Sequence, residues 1–393
     1  MKLSLKSLFL MFIALLSVFP FYLSAQVPPR FNLSLGNSVR IESKVLNETR
    51  DIFIHLPDSY RLTKDKYPVL YILDGENNFN FTVANVQFLN RIGKIPEMIV
   101  VGIPNTSRNR DFTPVKVPEL PLSGGGDNFL SFLKDELIPR IDNEYRTNRY
   151  RILEGHSLCG MFAFYTMFKE PELFNAYIAV SPWVIHNNNF IVDYVKSSLE
   201  KKIPGNKIVY FSAGSLELPD FLTTLNSFVD MIKSRAPENL QWKYELIENE
   251  DHGSVLPPTV HRGLMNLYKD WELPETAIRS GLASIMDHYK KLSSKFGYEI
   301  EIPEFLLNAA GYSLIRNGLL DKAVEVFKKN VELYPLSPNT HDSLGEAFER
   351  SNQPKLALEC YRQAYKLARE SNDINLETFK SNYERTAKQV SSN

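Results

Sequence analysis

The stretch Tyr150-Arg151-Ile152-Leu153-Glu154-Gly155-His156-Ser157-Leu158-Cys159-Gly160 passes from an apolar, strand-like run into a helix-like one that continues to Lys169. A serine at such a corner, flanked by small residues, has the form of a nucleophile elbow. The chain turns sharply, the small neighbours relieve the crowding, and the hydroxyl is left standing at the end of a sheet. Cys159 occupies the place where the full Gly-x-Ser-x-Gly pattern has its second glycine. That place asks for a small side chain where helix and strand approach, and a thiol meets it. Because the short pattern also arises by chance, its reading depends on what surrounds it.

Outward from the elbow, residues 27 to about 275 alternate strand-like and helix-like segments. Strands are expected at 39–46, 51–56, 68–73, 98–103, 150–154, 176–181, 207–212 and 241–247. Continuous apolar runs such as Val69-Leu70-Tyr71-Ile72-Leu73 and Ile99-Val100-Val101-Gly102-Ile103 suit strands covered on both faces of a parallel sheet. Helical patterns at 128–145, 157–169 and 220–234 lie between them, which predicts a three-layer α/β domain over 27–275.

From residue 303 to 390 the pattern is helical only, and it repeats. Gly311 and Gly345, Leu314 and Phe348, Ala323 and Ala357, and Phe327 and Tyr361 all recur at a spacing of 34, the tetratricopeptide period. Small residues at two of these positions let antiparallel helices approach, and aromatics fill the gap between hairpins. Pro335 closes the first repeat, whereas its counterpart is Arg369, and Asn330 stands where the second repeat has Ala364. An all-α tetratricopeptide-like array is therefore expected after the α/β domain, joined to it by a linker helix within 276–302. Such arrays present a concave surface to a peptide or protein partner or pack on a neighbouring domain, and both uses stay open here.

Residues 1–25 differ from all of this. Lys2 and Lys6 precede an apolar run from Leu8 to Phe19, and Ala25 precedes Gln26. That is the shape of a cleaved signal peptide, with an apolar run too short for the ~20 residues of a spanning helix. An exported protein, periplasmic or extracellular, with no stable membrane span is expected. Cleavage would remove two lysines and no acid, taking the net charge from −1 to −3. With 44% hydrophobic residues and so little charge, the chain has an ordinary globular composition and no electrostatic footprint for nucleic acid. Its two cysteines, Cys159 and Cys360, fall in separate domains and are expected to be free. No His-Glu-x-x-His or Cys-x-x-Cys spacing occurs, so no metal and no cofactor are expected.

A serine hydroxyl needs a histidine to take its proton, and the histidine needs an acid to fix its tautomer. Of seven histidines, His252 lies in the polar loop after the last strand, Glu248-Asn249-Glu250-Asp251-His252-Gly253-Ser254, where a base belongs. His156 precedes the serine and is expected to point away from it, while His186, near Trp183, is expected to line the pocket. For the acid, Glu217 lies in the loop after strand 207–212, and Asp220 is the second choice because it reads as a helix N-cap. The oxyanion requires N–H donors, one from Leu158 and one from Gly75 or Glu76 in the loop after strand 68–73.

Together these segments resemble the esterase branch of the α/β-hydrolases, the group of enterochelin-type siderophore esterases, esterase D and feruloyl esterases. The text that carries the likeness begins with Tyr71-Ile72-Leu73-Asp74-Gly75-Glu76 and Val101-Gly102-Ile103-Pro104-Asn105-Thr106 with Arg108, Arg110 and Asp111. It continues through Phe129-Leu130, Glu136-Leu137-Ile138-Pro139, Gly155-His156-Ser157 and Ser181-Pro182-Trp183 to Asp251-His252-Gly253-Ser254. The resemblance implies an α/β-hydrolase sandwich that hydrolyses carboxylic esters, plausibly of siderophores or acylated sugars, through an acyl-enzyme on Ser157 with His252 as base. Some relatives resemble a Ser-His dyad, which leaves the acid open between Glu217, Asp220 and none. Arg108 and Arg110 offer charge to an anionic small-molecule ester, or else pin their own loop. Trp183, Phe79 and Phe81 offer an aromatic wall or else pack in the core. An acyltransferase on the same fold and an inert hydrolase-fold scaffold binding a partner through its repeats are the alternatives.

Overall fold

The structure, a computed structural model, describes residues 35–61, 63–201 and 203–392; residues 1–25, expected to be a signal peptide, lie outside the described residues. Eight strands form one sheet: β1 (Asn37–Ser43), β2 (Glu48–His55), β3 (Tyr67–Leu73), β4 (Ile99–Ile103), β5 (Thr147–His156), β6 (Ala176–Val180), β7 (Lys207–Gly214) and β8 (Leu240–Ile247). Their order is β1-β2-β4-β3-β5-β6-β7-β8. All neighbours from β4 to β8 are parallel, while β1 and β2 form an antiparallel hairpin that joins β4 antiparallel. The expected sheet is therefore present, with an antiparallel edge added. Every residue of β3, β4 and β6 is buried, as their unbroken apolar runs require, whereas the edge strand β8 alternates between buried and exposed positions.

One face of the sheet is covered by α1 (Gly75–Arg91) and α8 (Leu256–Leu267). The other carries α2 (Arg108–Phe112), α3 (Gly126–Ser131), α4 (Ile138–Glu144), α5 (Leu158–Lys169), α6 (Phe190–Leu199) and α7 (Pro219–Arg235), whose inward side chains share one core with the strands. Between α3 and α4 the backbone takes a π-helical form over Phe132–Leu137, so the expected single helix at 128–145 is helical but not uniform. Such a stretch rotates the side chains that follow. Here it presents Glu136 to the β1–β2 turn, where its carboxylate accepts the Lys44 N–H at 2.8 Å and the Val45 N–H at 3.1 Å.

After the sheet the chain is helical. The expected linker helix is two helices, α9 (Glu275–Ser280) and α10 (Leu282–Phe296), because Gly281 has φ 102° and breaks the run. Two hairpins and a last helix follow: α11 (Glu304–Arg316), α12 (Leu320–Leu333), α13 (Pro338–Arg350), α14 (Pro354–Ser371) and α15 (Leu376–Ser392). The period of 34 has a direct packing cause. A Cβ on Gly311 would stand 2.4 Å from Phe327 Cζ, and one on Gly345 would stand 2.8 Å from Tyr361 Cε1, so each glycine admits the aromatic of its partner helix. A solvent-open cavity of about 310 Å³ among α13, α14 and α15 is lined by Glu346, Glu349, Arg350, Tyr361, Asn382 and Arg385. Its charges pair with one another, Arg350 with Glu346 at 2.7 Å and Arg385 with Glu349 at 2.8 Å. Both cysteines are free thiols, and among the described residues no helix is long and apolar enough to cross a membrane.

Candidate active site

The elbow is strained as its sequence demands. Ser157 has φ 60° and ψ −116°, unusual for a residue with a side chain, and it lies between the end of β5 and the start of α5. A Cβ on Gly155 would come within 2.5 Å of the Cys159 carbonyl oxygen, so only glycine fits there. The strained residue is pinned by its own peptide groups. Its N–H donates to Val180 O at 2.8 Å, and its carbonyl accepts from Trp183 N–H at 3.0 Å. Cys159 is fully buried, and a Cβ on Gly160 would meet Pro182 Cα and Val180 O at 3.0 Å, so the small residues serve helix-to-strand approach.

His252 comes from the loop after β8, three strands away from β5 in the sheet. That loop must fold back across the strand ends, and Gly214 lets it do so, since a Cβ there would lie 2.1 Å from Glu250 O. Leu216 N–H donates to Glu250 O at 2.9 Å, and Asp251 Oδ1 accepts from the Gly253 and Ser254 N–H groups at 2.9 and 2.8 Å. The result is a continuous line. His252 Nε2 lies 2.9 Å from Ser157 Oγ, and its Nδ1 lies 2.9 Å from Glu217 Oε2. Glu217 is buried, while Asp220 is exposed in the first turn of α7, whose N-cap is Leu218. Of the two candidate acids, the structure brings only Glu217 to the histidine, and Asp220 does not cap the helix as expected because Pro219 already opens it.

Two supports escaped the sequence reading. Ser181 is fully buried at the end of β6 with φ 42°; its hydroxyl donates to Glu217 Oε1 and lies 3.2 Å from His252 Nδ1. His156 packs its ring 4.8 Å from that of His252, and its Nε2–H donates to the His252 carbonyl at 2.7 Å. The strand before the elbow faces its side chains alternately, but at the strand's end the folded-back loop comes to meet the ring. Burial, and then the neighbouring His252, hold the His156 imidazole below its usual pKa.

The residues expected as oxyanion donors all lie at helix starts. Leu158 is the first residue of α5, and Gly75 and Glu76 are the first of α1, so their N–H groups have no acceptor within their own helices. β3 and β5 pair with Ile72 opposite Glu154, which carries Asp74 and Gly75 alongside His156 and Ser157. Two helix N-termini, the positive ends of their dipoles, thus stand at neighbouring strand ends. A Cβ on Gly75 would be 2.5 Å from Ile103 N, and the Glu76 side chain turns aside to accept from Asn105 N–H at 3.0 Å.

Residues 43–273 match the family model described as "Putative esterase". The chain belongs to this esterase family. It is 31% identical over 257 residues to the ferri-bacillibactin esterase BesA of Bacillus subtilis, covering 58% of this chain and 88% of that protein. It is 28% identical over 244 residues to a siderophore triacetylfusarinine C esterase of Aspergillus fumigatus, covering 52% of this chain and 82% of that protein. Among solved structures it is similar to an IroE-like serine hydrolase from Shewanella oneidensis, with TM-score 0.68 and 28% identity over 76% of this chain and 99% of the other.

Around the esterase site, Trp183 stacks on Phe221 at 5.6 Å and sets its edge against the His252 ring at 5.6 Å, forming one apolar wall. Phe79 does not join it: α1 turns Phe79 inward onto Phe53 at 5.5 Å, in the core. Arg108 is held by Asp74 through Nε at 3.0 Å and Nη2 at 2.9 Å, and Nη2 also donates to His156 O at 3.2 Å. Burial opposes the Asp74 charge, but the Arg108 hydrogen bonds outweigh it and keep the carboxyl below its usual range. Arg110 points elsewhere, to Glu48 at 2.9 and 2.7 Å and to Asp111 at 2.7 Å. Both guanidinium groups are paired with the protein's own carboxylates, the arrangement of the loop-pinning reading. His186 is buried after Trp183, with its pKa lowered by burial, and is followed by Asn187, Asn188 and Asn189, all at positive φ. Among the described residues no group of three or more His, Cys, Asp or Glu side chains is placed to hold a metal ion.

Beneath the site, Glu154 is fully buried and its one hydrogen bond is from Thr82 at 3.3 Å. Burial pushes its pKa up to about 8, from the ordinary 4.5. A carboxyl raised on folding binds its proton more tightly in the native state, so the stability it contributes is complete below about pH 4.5 and is lost as pH rises to about 8. Glu154→Gln removes that dependence. Its melting temperature is expected to match wild type at pH 4 to 5, to exceed it increasingly up to about pH 8, by up to about 1.4 kcal/mol of stability per pH unit across the window, and to keep a constant lead above that. A constant offset between the two proteins across that window would show that Glu154 ionises normally.

Proposed function

We propose that this esterase is an exported serine hydrolase that cleaves carboxylic esters through an acyl-enzyme, with Ser157 as nucleophile, His252 as base and Glu217 as acid. The observation that carries the reading is the unbroken Ser157–His252–Glu217 line, with 2.9 Å at each step, in a strained elbow beside two helix N-termini. His252 Nε2 takes the Ser157 proton as Oγ attacks the ester carbonyl, and the Leu158 N–H with that of Gly75 or Glu76 meets the oxyanion. The intermediate collapses to the acyl-enzyme as imidazolium returns the proton to the leaving alkoxide. Water then repeats the sequence, releasing the acid and free Ser157.

Siderophore-type polyesters are the substrates favoured here, supported by the two relatives whose names carry that activity; acylated sugars are the second class. An acyltransferase would use the same acyl-enzyme, with an alcohol in place of water. Protein secreted by an expressing cell should begin at Gln26 by mass spectrometry, react with a fluorophosphonate at Ser157, and release free carboxylic acid from siderophore polyesters. Labelling elsewhere would overturn the nucleophile, retention of residues 1–25 the export, and transfer of the acyl group to an alcohol the hydrolytic outcome.

A further inference from the structure

Four strand ends contribute to His252, and they do so unequally. The base loop leaves the edge strand β8, three strands from β5, or about 14 Å at ~4.8 Å per strand. β7 and β6 reach the imidazole at Nδ1, through Glu217 at 2.9 Å and Ser181 at 3.2 Å. Both contacts fix the ring's rotation and tautomer. Neither fixes where the backbone of His252 stands along the line of strand ends, because the Cα–Cβ torsion can absorb a displacement of the loop. Leu216 N–H on Glu250 O ties the loop to β7, and the contact that ties the His252 backbone itself to β5 comes from the residue before the nucleophile: His156 Nε2–H to His252 O at 2.7 Å. His156 is itself held, since Arg108 Nη2 donates to its carbonyl at 3.2 Å while bound to Asp74, the residue before the oxyanion donors of α1.

We propose that His156 is a positioning residue, which ties the base loop to the nucleophile elbow and to the oxyanion loop through its side chain on His252 O and its carbonyl on Arg108. The inference rests on the Ser157–His252 chemistry proposed above. The elbow needs only small residues around Ser157 for its turn; a histidine at 156 adds a donor at imidazole reach, in register with the serine by one peptide unit. The hydrogen bond requires the Nε2–H form, which the neutral ring supplies. A protonated His156 would place a second cation 4.8 Å from the His252 imidazolium that forms in each half-reaction. The other charged or titratable groups facing the ring are Asp74 and Arg108, which offset each other in a direct ion pair, while the buried thiol of Cys159 stays protonated, its pKa raised well above the usual value by burial.

Two variants separate donor geometry from loss of a ring. A glutamine amide nitrogen reaches the place of imidazole Nε2, whereas that of asparagine reaches only the place of Nδ1. With full-length protein and p-nitrophenyl acetate, His156→Gln is expected to keep kcat within about threefold of wild type. His156→Asn is expected to lose kcat by roughly 10- to 100-fold, the scale of a misplaced catalytic group, with KM changed less than threefold. The rate of fluorophosphonate labelling of Ser157 should fall in parallel, and both variants should melt within a few degrees of wild type. Equal losses in Gln and Asn, or an unchanged kcat in Asn, would overturn the proposal. If wild-type Ser157 takes up no fluorophosphonate, the serine-hydrolase reading itself falls, and this inference with it. If wild type is labelled but both variants are labelled at its rate, only the role of His156 falls.

Discussion

Ser157→Ala and His252→Ala should each lower kcat/KM toward a common activated ester by roughly 10⁴- to 10⁶-fold, with melting temperatures close to wild type. The size follows from the way the two groups act. Alanine at 157 leaves nothing for the carbonyl to bond to, and alanine at 252 leaves a hydroxyl with no acceptor for its proton 2.9 Å away. Because proton transfer and attack occur in one step, the losses do not add. The double variant should be no slower than either single one, retaining only what the oxyanion donors and substrate binding supply. Stability should be little affected, since the backbone bonds that hold the elbow, from Ser157 N–H to Val180 O and from Trp183 N–H to Ser157 O, do not involve the hydroxyl. Turnover surviving within tenfold in either variant would mean that the chemistry lies elsewhere.

Glu217→Gln should cost about 10²- to 10⁴-fold in kcat, while Asp220→Asn should stay within twofold of wild type. Glu217 accepts from the Ser181 hydroxyl on Oε1 and from His252 Nδ1–H on Oε2, so its charge both orients the imidazole and supports the imidazolium. Glutamine preserves the shape but has no charge to support the imidazolium, and with its NH₂ toward Nδ1 it cannot accept from Nδ1–H. The histidine is then drawn to the wrong tautomer, with its proton facing the serine, as happens when the acid of a serine-protease triad is made neutral. Asp220 is exposed beyond the helix start and touches neither group. Parallel rate measurements on the two variants decide between them, and a loss in Asp220→Asn equal to that in Glu217→Gln would reverse the assignment.

Much of this was legible in the chain because it depends on local chemistry. The elbow announces itself through Gly155, Ser157 and Gly160, since strain and crowding at a tight turn restrict which residues fit. The sheet announces itself through strands whose side chains must all be apolar, and the repeats through glycines and aromatics that recur because the same hairpin contact recurs. His252 and Leu158 followed from their places relative to those elements.

What could not be read is whatever depends on which strand ends lie side by side. Ser181 looked like an ordinary strand-end residue until the order β5-β6-β7 put it between Glu217 and His252. Glu217 and Asp220 are three residues apart in one acidic loop, and only the start of α7 at Pro219 turns one inward and leaves the other in water. Arg108 and Arg110 could be read either as charge for an anionic ester or as pins for their own loop, and only the fold shows that Asp74 and Glu48, from β3–α1 and β2, pair with them. The fold, the strained elbow at Ser157 and the loop that carries His252 are legible along the chain, because each is written in residues adjacent to one another. Which of the two acids offered by the sequence, Glu217 first and Asp220 second, reaches His252, and the contacts made by Ser181 and His156, depend on the fold, because a hydrogen bond requires its partners within about 3 Å, and no spacing along the chain encodes that distance across four strands.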